Sequence, residues 1–109
     1  MITPLACSLV GQQQSVALVP GTRAARLYGV TSALEPYYCN YGVNPDYLQR
    51  LQDGGLTVSG IGEQGEIRIV ELRDHPFFVA TLFLPQARST AASPHPLLQG
   101  YAAAVTTAR

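Results

Sequence analysis

Three apolar stretches follow one another with little chain between them, and together they leave few folds open. Residues 56–61 alternate in the manner of a half-buried strand, Gly62 to Gly65 read as a turn, and residues 66–72 alternate again with Ile67, Ile69 and Glu71 on one parity. After a four-residue break at 73–76, residues 77–83 are apolar on both parities, as in a strand buried on both faces. The three read as a β-meander that ends in a central strand.

The segments around the meander supply helices. Asn44 suits an N-cap, Pro45 loses nothing at the first helical position, Asp46 favours the positive end, and Tyr47, Leu48 and Leu51 give an apolar stripe that Gly54 and Gly55 end. Thr22 can cap a shorter helix over 23–28, closed by Gly29. Near the start, residues 1–10 and 16–19 read as two strands, or a strand and a loop, around the polar run Gln12 to Gln14. Residues 33–43, with Tyr37, Tyr38 and Tyr41 around Cys39, favour an extended segment. The Ser, Ala and Pro rich loop 88–96 leads into a closing helix over 96–106 that presents Leu97, Leu98, Tyr101 and Val105.

Composition narrows the partners. A chain of 109 residues holds one domain, and its seven basic residues, all arginine and scattered, balance seven acidic ones. Nucleic acid and anionic membranes are set aside, because counterion release needs clustered cations. No apolar run approaches the roughly 20 residues that cross a bilayer. Two cysteines and no leader segment point to a cytoplasmic protein without a disulfide framework.

The residues able to carry chemistry are few. Cys39 among aromatics is either a small buried hydrophobe or a reactive thiol, the latter only if something lowers its pKa; Cys7 is the second candidate. His75 reads as a turn histidine that makes backbone hydrogen bonds, and His95, between two prolines, as a loop residue. Cysteines at 7 and 39 with histidines at 75 and 95 lack the paired spacing of a zinc site, so no metal is expected. The tyrosine patch has no basic groove beside it and packing explains it.

From Glu35 onward, the order Val43-Asn44-Pro45, a helix, Gly55-Leu56, Val58-Ser59-Gly60, Gly65, Val70-Glu71-Leu72, His75-Pro76-Phe77-Phe78-Val79, Phe83-x-Pro85, Ser89 and Pro94-His95-Pro96-Leu97 resembles the C-terminal half of the glutaminase domain of CTP synthase, a class I glutamine amidotransferase. With Pro4 to Gln12 and Tyr37 to Pro45 included, the whole chain resembles the CTP synthase C-terminal region-related (seleno)proteins. The resemblance implies an α/β domain: a partial flavodoxin-like class I amidotransferase fold, with a mixed sheet, a C-terminal antiparallel meander and flanking helices. Residues 1–109 would be its incomplete C-terminal half, since the glycine-rich cysteine elbow of such domains lies upstream of anything in this chain.

Departures from the family pattern carry the functional expectation. Leu84 and Gln86 stand at the positions of the family's catalytic histidine and glutamate, and Asn40 where an arginine would hold the substrate carboxylate. Glutamine hydrolysis by the Cys-His-Glu triad is therefore not expected. Synthesis of CTP is also excluded for this chain alone, which lacks both a phosphate-binding Gly-x-x-x-x-Gly-Lys-Ser/Thr stretch and lysine itself. Three readings remain: a noncanonical thiol or redox enzyme using Cys39, with Asn40, Tyr41 and Gln86 around it; a non-catalytic binding or regulatory module that keeps the pocket; and a truncated product that self-associates. No cofactor is expected, and a small molecule in the degenerate pocket is the ligand left open.

Overall fold

The computed structural model of the chain describes residues 2–5 and 8–107. In chain order the strands are β1 (Ile2–Pro4), β2 (Gln12–Leu18), β3 (Ser32–Tyr37), β4 (Tyr41–Val43), β5 (Leu56–Ile61), β6 (Ile67–Leu72) and β7 (Val79–Thr81). The helices are α1 (Arg23–Tyr28), α2 (Leu48–Asp53) and α3 (Pro96–Thr107), with 3-10 turns at Pro45–Tyr47 and Pro85–Arg88.

The main sheet has the order β3-β2-β5-β6-β7, and β1 pairs with β4 beside it. The α/β class and the meander β5-β6-β7 are as expected, but every described pairing is antiparallel where a mixed sheet was expected. Between β2 and β3 lies a helix of only six residues. At about 1.5 Å per residue it is far too short to carry the chain back along a seven-residue strand, so β3 returns antiparallel.

The run 77–83 also departs from expectation. Only Val79–Thr81 pair, and they form the sheet's edge, not its centre. The run's odd-numbered residues are covered at both ends by other elements, while Phe78 and Ala80 on the other parity are exposed. Phe77 packs edge-on against Tyr101 of α3, and Phe83 against Tyr37. Beyond β7 the sheet curls: Leu82 N–H donates to Arg68 O at 3.0 Å, and Leu84 N–H reaches Pro36 O on the opposite edge strand at 3.0 Å. The polar Gln12 to Gln14, read as a break, instead begin β2, with Gln12 and Gln13 on its exposed end.

Both helix starts follow the sequence. Thr22 Oγ1 accepts the Ala25 N–H at 3.2 Å, and Gly29 closes α1 in the left-handed region at φ 70°. Glu71 of β6 supplements that cap, accepting from Arg23 N–H at 2.8 Å and Ala24 N–H at 3.1 Å. Asn44 accepts the Asp46 N–H at 3.0 Å and starts the 3-10 turn that runs into α2. Of the stripe expected on α3, Leu97 is buried, while Leu98, Tyr101 and Val105 remain substantially exposed. Gly100 turns inward in their place, because α1 approaches so closely that a Cβ there would lie 2.6 Å from Leu27.

The core comprises Leu9, Val16, Leu18, Ala24, Tyr37, Ile69, Phe83 and Leu97. Two facing bulges shape it. The pairs Val58–Val70, Gly60–Ile69 and Ile61–Ile67 leave Ser59 extra on β5 and Arg68 extra on β6. A Cβ at Gly60 would meet the Ile69 side chain at 2.4 Å. Gly60→Ala is expected to destabilise the fold by about 1–3 kcal/mol through overpacking, seen as a lower urea midpoint at unchanged slope. An unchanged midpoint would show that the bulge yields.

Candidate functional site

Strand parity sets up the most polar part of the interior. Along β3, Glu35 and Tyr37 face inward and Leu34 is 58% exposed, so a carboxylate is carried into the core where an aliphatic residue would ordinarily sit. Glu35 is fully buried, as is His95. The His95 Nε2 lies 2.6 Å from Glu35 Oε2, Arg88 donates from Nε at 2.5 Å and Nη2 at 3.1 Å, and the Tyr28 hydroxyl donates to the same carboxylate. Four elements thus meet at one side chain: α1, β3, the 3-10 turn Pro85–Arg88 and the start of α3.

The proton positions follow from the partners. Leu97 N–H donates to His95 Nδ1 at 3.1 Å, which makes that nitrogen an acceptor and puts the proton on Nε2, facing Glu35. Burial lowers the His95 pKa and outweighs the attraction of Glu35, so the imidazole is neutral. Burial alone would raise Glu35; hydrogen bonds from Arg88, Tyr28 and His95 overcome it and hold the carboxyl below its usual range. Tyr28 is pushed well up, by burial first and by Glu35 second. The cluster is therefore a buried carboxylate with three donors, suited to hold elements together.

His95 does lie in the loop just before α3, as the sequence suggests, but its ring is fully buried. Its ring is an interior tie between α3 and β3. The signal was present: Ala33, Glu35 and Tyr37 share a parity opposite to exposed Leu34, and a lone acid on an inward parity requires donors. His75 behaves as expected, accepting the Phe77 N–H on Nδ1 at 3.0 Å.

The expected site residues lie on two neighbouring segments. Cys39 is half-buried and its thiol faces Leu82 O at 3.8 Å. Burial pushes that thiol up, against the opposing charge of Arg68 and a hydrogen bond from the Tyr38 backbone. Asn40 is exposed and its carbonyl accepts the Leu5 N–H at 2.8 Å; Tyr41 is exposed on β4 opposite Pro4. Leu84 is half-buried beside Pro36, and Gln86 is exposed on its 3-10 turn. The backbones of 36–39 and 82–84 thus run side by side, while Asn40, Tyr41 and Gln86 face solvent. Cys7 lies outside the described residues. Among those described, no three His, Cys, Asp or Glu side chains are grouped for a metal ion, and no helix is long and apolar enough to cross a membrane.

No family model matches the chain. The CTP synthase of Aeropyrum pernix is 43% identical over 96 residues, covering 86% of this chain and 18% of that protein. That of Saccharolobus solfataricus is 42% identical over 92 residues, covering 84% and 17%. Among solved structures, the glutaminase domain of Trypanosoma brucei CTPS with bound acivicin superposes with a TM-score of 0.82 at 28% identity, covering 93% of this chain and 41% of that one. This chain is homologous to CTP synthase. Its fold is that of part of the CTP synthase glutaminase domain, a class I amidotransferase fold. The chain spans less than a fifth of the curated CTP synthases it matches, 16% to 18% of their length.

The Glu35 cluster gives the domain an acid-sensitive stability. Both Glu35 and His95 have folded-state pKa values below their ordinary ones of 4.5 and 6.5. Each therefore favours folding above its ordinary value and loses that contribution as pH falls toward the folded value. Urea denaturation across pH should show stability declining below about 6.5 through His95 and again below about 4.5 through Glu35. Glu35→Ala should cost about 3–5 kcal/mol near neutrality, because His95 and Tyr28 lose a buried acceptor, and should remove the lower decline. A loss below about 1 kcal/mol, the range of an exposed ion pair, would contradict this.

Proposed function

We propose that the chain is a CTP synthase-related, glutaminase-type domain that does not hydrolyse glutamine and serves as a non-catalytic binding or regulatory module. The observation that carries this reading is Leu84: the resemblance places it at the general base of the family, and its half-buried side chain has no titratable group. Gln86, at the orienting glutamate, is neutral and exposed, so it would not stabilise an imidazolium as a carboxylate does. Asn40, at the substrate-holding arginine, cannot make a bidentate charged contact with a carboxylate.

The alternative thiol-enzyme reading needs Cys39 as thiolate near neutral pH. Burial works against that, and the nearest hydrogen-bond partner of the sulfur is a carbonyl, which favours the protonated form. Binding without chemistry accounts for these features with fewer demands, and the CTP synthase relation is what supports our proposing a place in pyrimidine nucleotide metabolism, in the cytoplasm.

Ammonia release from L-glutamine tests the proposal. The purified chain should show none above buffer, and Leu84→His should restore none, because a base without a matching nucleophile has no proton to accept. Saturable release that Cys39→Ser abolishes would overturn the reading in favour of the thiol enzyme.

A further inference from the structure

The seven arginines are spread along the sequence, yet the fold gathers three of them at one place. Arg23 and Arg26 stand three residues apart on α1 and so share a helix face, and Arg73 follows the end of β6. With Gly21 and Glu71 they line a cleft of about 220 Å³. Among the described residues, none of the three guanidinium groups has a carboxylate oxygen within 4.0 Å, whereas Arg68 and Arg88 are each paired with a glutamate. Glu71 is not their partner: it is 3% exposed, and its two oxygens accept the backbone N–H groups of Arg23 and Ala24. Three cations therefore stand beside one buried carboxylate, and an anion placed among them relieves their mutual repulsion.

Two of the three are open to a ligand. Arg26 and Arg73 are exposed, and Arg26 spends one nitrogen on Gly21 O at 3.4 Å. Arg23 is half-buried and held in place: its Nη2 donates to His75 O at 3.2 Å and its guanidinium lies over the Phe77 ring, 5.5 Å from the centroid. Its Nη1 is closed to solvent, so direct contact falls to Arg26 and Arg73 while Arg23 lends its charge. The cleft is smaller than the roughly 300–1,000 Å³ of a drug-sized site, which suits it to one small anionic group. A second cleft, of about 230 Å³, shares Arg23 and Arg26 and is otherwise walled mainly by Leu27, Pro76, Phe77 and Ala104. None of Cys39, Asn40, Tyr41, Leu84 or Gln86 lines either cleft.

We propose that this arginine cluster binds the phosphoryl group of a small organic phosphate, with the apolar body of the ligand in the cleft beside Phe77. A phosphoryl dianion balances the excess positive charge better than a single carboxylate does. Its terminal oxygens can accept at once from guanidinium groups that reach the cleft from α1 and from the turn after β6. Glu71 repels any anion, so a group that engages one arginine gains little, whereas one that engages Arg26 and Arg73 together gains two charge-assisted contacts. The site does not depend on whether the chain hydrolyses glutamine.

The test follows the backbone amides of the full chain by NMR during titration with phenyl phosphate, inorganic phosphate and benzoate. Ionic strength is held constant, at a mildly alkaline pH where both phosphates are dianions. Saturable shifts at Gly21, Arg26 and Arg73 are expected with both phosphates; with phenyl phosphate they should extend to Phe77 and Ala104 and binding should be tighter. Benzoate, with the same ring and a single charge, should bind about tenfold or more weakly, the equivalent of one charge-assisted hydrogen bond. Arg73→Gln and Arg26→Gln should each weaken phenyl phosphate binding by a similar factor, while Arg50→Gln, which removes a cation that lines neither cleft, should leave it unchanged. The proposal is overturned by an absence of saturable shifts, by benzoate binding as tightly as phenyl phosphate, by unchanged binding in a folded Arg73→Gln, or by an equal loss in Arg50→Gln. Inorganic phosphate binding as tightly as phenyl phosphate would overturn the organic ligand and assign the site to free phosphate. Ammonia release from glutamine bears on the glutaminase reading alone and leaves these outcomes untouched.

Discussion

A single buried carboxylate ties the fold together. Glu35 would be destabilising in the interior were it not met by Tyr28, Arg88 and His95 at once, and those three residues come from separate parts of the chain. The neutral imidazole of His95 is held from the other side by the Leu97 N–H, so the start of α3 is fixed to β3 through one ring. The curl of the sheet depends on the same region: Pro36, next to Glu35, accepts the Leu84 N–H, which brings the segment after β7 to the opposite edge strand. In a small domain whose main cluster has eight buried hydrophobic residues among those described, such a network adds directional constraints that burial alone lacks.

Local chemistry was legible in the sequence wherever it was decided locally. Thr22, Gly29, Asn44 and Pro45 announced the starts and stop of α1 and the turn into α2, because caps depend on residues within one turn. The hairpin β5-β6 followed from alternation and its glycine turn. Features decided by distant partners were not legible. The run 77–83 is apolar on both parities as a central strand would be, yet only Val79–Thr81 pair, with β6, and the ends of the run pack on α3 and on Tyr37 of β3. His95 reads as a loop residue between prolines until Glu35, sixty positions away, is placed against it. Arg68 stands between Ile67 and Ile69 yet is buried like them, because it is the extra residue of the β6 bulge.

On the proposed reading, homology and chemistry separate in this chain. The CTP synthase glutaminase scaffold is retained closely enough for a TM-score of 0.82. On the same proposed reading, the positions of the family's chemistry hold Leu84, which has no titratable group, and the neutral amides Gln86 and Asn40. Scaffold and site answer to different constraints, packing for one and titration for the other, so one can persist while the other changes.

The measurement that bears most directly on this account is the protonation state of His95, read from long-range proton–nitrogen NMR correlations across the acid range. The buried cluster predicts a neutral ring with its proton on Nε2 near neutral pH, titrating below the ordinary histidine value of 6.5. A proton on Nδ1, or titration at or above that value, would contradict the arrangement of Glu35, His95 and Leu97 on which the fold is argued to rest.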